Sequence, residues 1–263
     1  MRYILVTGAY GGMGSAAVKV FRSLGYCVFA MDKNVREAEE NIVPIRADIT
    51  SEDSLREAVD TIKAYTDNLY AIVHYAGVYM LDSLVEMESD RFRGIFDVNV
   101  FGAFLVNKIF LPLLGEGSRI VITTSELAPL DPLPFTGVYA VTKGALDKYA
   151  YYQCMELQLM GIYVSVLRAG AVDTGMLGAS TDALDRFCEN TALYTCNADR
   201  FKMIVNSVES RCVSPELIAK KTVRILTRRK PSFAYSINRN PLLLLLNVLP
   251  KRLQLWVIKL ILK

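Results

Sequence analysis

Short apolar runs alternate with stretches of helical periodicity along most of the chain. Residues 3–7, 27–31, 42–46, 70–75, 119–123, 162–167 and 233–236 read as strands. The first, Tyr-Ile-Leu-Val-Thr, lacks polar alternation and so suits burial on both faces of a parallel sheet. Between the strands, Ala17, Val20, Phe21 and Leu24 fall on one helical face that Gly25 stops. Further helices are expected over 52–66, 90–112, 137–160 and 215–228. This alternation predicts an α/β fold: a doubly wound parallel sheet flanked by helices, with ligands at the carboxyl ends of the strands. Gly8, Asp32, Asp48, Gly77, Ser125 and Gly170 all fall at such ends, which points to a single crevice.

The first strand runs into Gly8-Ala9-Tyr10-Gly11-Gly12-Met13-Gly14 and then a helix, the context of a dinucleotide-binding turn. Glycines allow the tight turn and a close backbone approach to a pyrophosphate, while the helix N-terminus offers unpaired N–H groups. The second strand ends in Asp32. An acid there accepts hydrogen bonds from the adenosine ribose and repels a 2′-phosphate, favouring NAD(H) over NADP(H). Lys33 and Arg36 work against that repulsion, so NADP(H) is not excluded. Asp32 is otherwise a strand-end turn residue. Asp48, followed by Ile49, either reaches the adenine edge or caps the helix that begins at 50–53.

Tyr139 and Lys143 are one helical turn apart and share a face. An ammonium beside a phenol favours the phenolate and lowers a pKa that is normally about 10. Tyr139 is thus a candidate proton acceptor for an alcohol, with Ser125 upstream to hold the substrate oxygen. The alternative is a solvated Lys beside a packed Tyr.

Together these pieces resemble the short-chain dehydrogenase/reductases, from residue 3 to about 230. Thr7-Gly8-x-x-x-Gly12-x-Gly14 is similar to the family's TGxxxGxG turn, although Gly8, Gly11 and Gly14 also fit the TGxxGxxG spacing of its extended branch. Ala76-Gly77 is similar to the end of NNAG, Asn99 to the catalytic Asn, Ser125, Tyr139 and Lys143 to the Ser and YxxxK pair, and the segment 168–174 to the PGxxxT element. The resemblance, closest to hydroxysteroid and retinol dehydrogenase types, implies a Rossmann-type fold and an NAD(P)-dependent oxidoreductase acting on CH–OH groups. It assigns Tyr139 as acid/base, Ser125 as the orienting hydroxyl, Lys143 to the phenol and the nicotinamide ribose, and Asn99 to a water in a proton relay. It assigns Gly8, Tyr10, Gly11, Gly12, Met13, Gly14, Asp32, Asp48, Ile49, Ala76, Gly77, Tyr139, Lys143, Val172 and Thr174 to the cofactor. Two departures stand out. NNAG reads His74-Tyr75-Ala76-Gly77, and the Pro of PG is Ala169, which is expected to loosen that turn. His74, the only histidine, reads as a core residue.

At 263 residues the chain suits one domain over 1–240, with a substrate lid at about 175–214 and an apolar tail at 241–263. The hydrophobic content of 52% and mean hydropathy of +0.26 are high. A net charge of +3 does not point to nucleic acid. Five scattered Cys without a CxxC pair suggest free thiols in a reducing, cytoplasmic setting and no metal site. Arg2 and a short strand lead straight into the glycine turn, so no signal peptide is expected.

Met176, Leu177, Phe187, Leu193, Tyr194, Phe201, Met203 and Ile204, with Leu133 and Phe135 opposite, either line a pocket for a bulky lipophilic alcohol or ketone, steroid- or retinoid-like, or pack the lid. In the tail, Arg252, Lys259 and Lys263 form one stripe on an apolar helix broken at Pro250. That pattern suits peripheral membrane contact or a subunit contact in the homodimer or homotetramer usual for the family. The rival functions are a non-catalytic NAD(H)-binding regulator and a sugar-nucleotide epimerase or dehydratase of the extended branch.

Overall fold

The computed structural model describes residues 1–131, 133–209 and 211–263, without the side chains of 176–180, 199 and 206–209. Strands β1 (Arg2–Thr7), β2 (Tyr26–Asp32), β3 (Ile42–Arg46), β4 (Ala71–His74), β5 (Arg119–Ser125), β6 (Tyr163–Ala169) and β7 (Ala234–Ile237) form one parallel sheet in the order β3-β2-β1-β4-β5-β6-β7. The order reverses between β1 and β4, where a doubly wound sheet opens its crevice. Helices α1 (Gly12–Ser23) and α8 (Pro215–Thr227) cover one face through Ala17, Phe21, Ile218 and Ile225. Helices α2 (Glu52–Lys63), α4 (Gly102–Phe110) and α5 (Gly137–Leu157) cover the other through Leu55, Val106 and Leu146. The central strands are apolar without alternation because both their faces are covered.

The helix expected over 90–112 is interrupted. It runs as α3 (Ser89–Phe96), a π turn over Asp97–Phe101 and then α4. The π turn surrounds Asn99, a geometry that recurs at functional sites. With its final turn, the helix Ser89–Leu113 is long and apolar enough to cross a membrane, but it also carries Asn99 and packs on the sheet. Beyond β6, α6 (Gly175–Asn190) and α7 (Thr195–Glu209) occupy the expected lid segment. The tail folds as two helices, α9 (Pro241–Val248) and α10 (Lys251–Leu262), parted where Pro250 interrupts the pattern.

The two residues that replace the asparagines of NNAG each bond a covering helix. His74 Nε2 lies 2.8 Å from Asn107 Oδ1 on α4, and Asn107 Nδ2 in turn donates to Tyr149 and Gln153 on α5. Tyr75 pairs its hydroxyl with Thr222 Oγ1 on α8 at 2.7 Å. Burial holds His74 neutral, drawing its pKa from 6.5 to about 4 against the opposing Asn107 bond, with the Lys143 charge adding to the fall. The unfolded chain protonates this histidine near pH 6.5 and the folded chain only near 4, so stability declines as pH falls through that window. By pH 5 the loss is about 2 kcal/mol. Urea unfolding at pH 7.5 and 5.0 is expected to show a decline steeper by that amount in the wild type than in His74→Gln; equal declines would contradict a neutral buried histidine.

Candidate active site

The glycine turn is built by close approach. Gly8 has φ +65°, and a Cβ there would lie 2.6 Å from Ala76 N at the exit of β4. A Cβ on Gly14 would overlap the Gly8 carbonyl oxygen, and one on Gly12 would lie 2.5 Å from the Thr174 side chain. A Cβ on Gly11 meets nothing nearer than 3.4 Å. The turn therefore needs glycine at 8, 12 and 14, the TGxxxGxG spacing. A cleft of about 610 Å³ opens over it, lined by Gly8, Gly11, Gly12, Met13, Gly14, Asp32, Ile49, Ala76 and Gly77. Next to it, the buried Ser15 Oγ has no hydrogen-bond partner among the described residues. A cleft over a helix N-terminus with a spare polar atom fits a dinucleotide.

Asp32 lines this cleft, with Oδ2 accepting from Tyr10 N at 3.0 Å and Oδ1 from Asn34 N at 3.3 Å. Asp48 is not among the lining residues, although its neighbours Ala47 and Ile49 are. Its carboxylate accepts from Thr50 N and Oγ1 at 2.9 and 2.7 Å and pairs with Lys33 at 3.0 Å. These partners outweigh burial and hold Asp48 below the usual carboxylate range. The helix cap belongs instead to Ser51, which accepts from Ser54 N.

A second cavity, about 220 Å³, adjoins the cleft and shares Met13, Tyr75, Gly77, Tyr79 and Thr174 with it. Ser125, Tyr139, Lys143 and Val172 line it. Ser125 ends β5 and hydrogen-bonds the Tyr139 phenol from the first turns of α5. Lys143 Nζ sits 5.6 Å from the centre of the Tyr139 ring and donates to Thr123 O at 3.4 Å. Asn99 grips the backbone after β4, accepting from Val78 N at 2.8 Å and donating to Val78 O at 2.9 Å. Asn99 and Lys143 converge over Gly77: a Cβ there would stand 3.2 Å from Asn99 Oδ1 and 3.3 Å from Lys143 Nζ.

The electrostatics differ from the expected pattern. Burial pushes the Tyr139 phenol above its ordinary pKa, with Tyr79 reinforcing the rise and the Ser125 bond opposing it. Burial also lowers Lys143 to about 8. With both groups desolvated, the loss of hydration dominates the pair, and the phenol holds its proton at neutral pH.

The turn after β6 is braced despite Ala169. Gly170 N donates to Ile237 O, Asn238 Nδ2 donates to Ala171 O at 2.8 Å, and Val172 bridges Val213. Below the site, Arg168 holds Asp147 through two bonds of 2.9 and 2.7 Å and so ties β6 to α5.

The lid separates the expected lipophilic residues. Phe201 and Ile204 line the cavity, as does Leu133. Phe135 packs instead against Phe187, Tyr194 and Phe201, and Leu193 and Met203 are exposed. The side chains of Met176 and Leu177 lie outside the described residues. Tyr75, Tyr79, Glu126 and Asn240 line the cavity without having been legible as site residues. Only the position of Tyr79, just past Gly77, could have suggested it.

The family model for short chain dehydrogenases matches residues 2–185. The chain belongs to the short-chain dehydrogenase/reductase family. It is 32% identical over 197 residues to estradiol 17-beta-dehydrogenase 2 of Mus musculus, covering 70% of this chain and 51% of that protein. The chain thus spans about half the length of that curated relative. Among solved structures, 3-ketoacyl-(acyl-carrier-protein) reductase from Brucella melitensis, complexed with NADH, superposes with a TM-score of 0.73 at 20% identity, over 90% of this chain and 96% of that one. A short chain dehydrogenase from Burkholderia cenocepacia in complex with NADP gives 0.70 at 18% identity, over 90% of each chain. These likenesses show the fold.

Proposed function

We propose that this protein is an oxidoreductase that moves a hydride between NAD(H) and a hydrophobic secondary alcohol or ketone. The observation that carries this reading is the convergence of Ser125, Tyr139 and Lys143 on a largely apolar cavity continuous with the dinucleotide cleft. When bound, NAD+ supplies the hydride acceptor. Ser125 orients the substrate oxygen, and Tyr139 exchanges a proton with it. Lys143 holds the nicotinamide ribose and, with Asn99 over Gly77, links the phenol to a water relay. Asn99 fixes the β4 exit that carries Gly77. Gly8, Tyr10, Gly11, Gly12, Met13, Gly14, Asp48, Ile49, Ala76, Val172 and Thr174 complete the cofactor set.

Asp32 favours NAD(H). Lys33 is already paired with Asp48, and Arg36 lies over the Tyr10 ring at 5.3 Å, so neither cation stands free opposite a 2′-phosphate. At about 220 Å³ the cavity is below the roughly 300–1,000 Å³ of drug-sized sites. A steroid- or retinoid-sized substrate therefore requires α6 and α7 to act as a lid that opens, while a smaller lipophilic alcohol fits directly.

Two exposed apolar faces suit two partners. Phe101, Phe104, Tyr152, Met155 and Leu159, on or beside α4 and α5, suit a subunit contact. In the tail, Leu242, Leu245, Val248, Leu255, Trp256 and Leu260 are exposed, while Gln254 is buried with Nε2 unpartnered among the described residues, the reverse of a water-facing helix. From Arg239 onward the chain carries five cations and no acid. A two-fold contact through this face would set like charges against each other, whereas an anionic lipid surface attracts them. Trp256→Glu/Leu260→Glu is expected to abolish flotation with phosphatidylserine vesicles; unchanged flotation would reject membrane contact through the tail.

A further inference from the structure

The residue after Ser125 is a buried acid in the substrate cavity, and the reaction described above does not use it. Glu126 is 8% exposed. Its backbone N–H donates to Ala169 O at 2.9 Å, which continues the β5–β6 pairing past the strand end. Ser125 reaches Tyr139, while the Glu126 carboxyl reaches Gly170 and Asn240, and all five residues line the same cavity.

The two carboxyl oxygens have different surroundings. Oε2 accepts from Asn240 N at 2.6 Å. Oε1 has no hydrogen-bond partner among the described residues and lies beside Gly170, where a Cβ would stand 3.1 Å away. Oε1 therefore opens to the cavity, where a ligand can supply the donor that the protein does not. Burial raises the acid above the usual carboxylate range, against the pull of the Asn240 N–H and the charge of Arg239. With that cation already near, a neutral donor suits the site better than a second cation.

We propose that Glu126 determines substrate specificity by accepting a hydrogen bond through Oε1 from a second, uncharged hydroxyl of the substrate, distinct from the oxygen held by Ser125 and Tyr139. The substrate is then a hydrophobic diol or hydroxyketone. This rests on the reading of the cavity as the site of a hydrophobic alcohol or ketone.

The test uses matched secondary alcohols that carry a hydroxyl, a ketone, an ammonium or nothing at the far end. Each is assayed for kcat/KM with NAD+, and each alcohol is titrated calorimetrically into the enzyme–NADH complex, a pair that cannot react. Wild type is expected to favour the second hydroxyl at least about ten-fold over the other three. In Glu126→Gln the amide oxygen still accepts from Asn240 N, but the group facing the substrate now donates. The preference is expected to shift from hydroxyl toward ketone. No preference for any second hydroxyl, a preference for the ammonium, or the same selectivity in Glu126→Gln would overturn the proposal and leave Glu126 as an anchor for Asn240. Failure of every alcohol to turn over would count against the oxidoreductase substrate reading; the calorimetric selectivity would still decide the role of Glu126.

Discussion

Tyr139→Phe is expected to bind NADH with wild-type affinity and to lose about 10²- to 10⁴-fold in kcat, the usual contribution of a positioned acid or base. The ring packs at 4.9 Å from Tyr79 and lies under Lys143, so removing only the hydroxyl leaves the cleft wall intact. Ser125 loses its partner and the substrate oxygen loses its proton donor or acceptor. Burial raises the phenol's pKa, so it holds its proton at neutral pH. Stopped-flow NADH consumption with a ketone, alongside fluorescence titration of NADH, separates the two effects. A variant that binds NADH normally and keeps kcat within about ten-fold would show that another group moves the proton.

Gly14→Ala is expected to be far more damaging than Gly11→Ala, three residues earlier in the same turn. The added methyl at 14 meets the Gly8 carbonyl oxygen and the Ala9 Cα, both backbone atoms that no rotamer change can move. The cost is about 3 kcal/mol or more, at the upper end of overpacking effects, and the pyrophosphate turn is displaced with it. At Gly11 the φ is −70° and the nearest atom is 3.4 Å from the new methyl. Only the N-cap preference is lost, about 1 kcal/mol. Urea denaturation and NADH affinity measured on both variants check this; equal losses would contradict the assignment of glycine to 8, 12 and 14.

The strands, the glycine turn and the Ser125–Tyr139–Lys143 set were legible because each is a local pattern: a run buried on both faces, a turn between strand and helix, a pair one helical turn apart. Asn99 was legible as a residue but its π turn was not, since a shift in backbone hydrogen bonding leaves the apolar periodicity of 89–113 almost unchanged. The partners of His74 and Tyr75 lie on α4 and α8, far along the chain, and no local rule pairs them. Phe135 and Phe201 are equally aromatic in the sequence, yet one packs within the lid cluster and the other lines the cavity; only the packing of α7 against 133–136 separates them. The expected fall in the Tyr139 pKa followed from proximity to Lys143. It failed because proximity says nothing of burial, which here acts on both groups. Glu126 was overlooked because a charged residue beside a catalytic hydroxyl has no periodic signature.

The most direct test of the central claim is NADH formation by the purified protein with a panel of hydrophobic secondary alcohols, run in parallel with NADP+ and with Tyr139→Phe. Turnover that prefers NAD+ and vanishes in the variant is the predicted result. Tight NADH binding with no turnover on any alcohol or matching ketone would contradict the claim, and would favour a protein that binds the dinucleotide without using it.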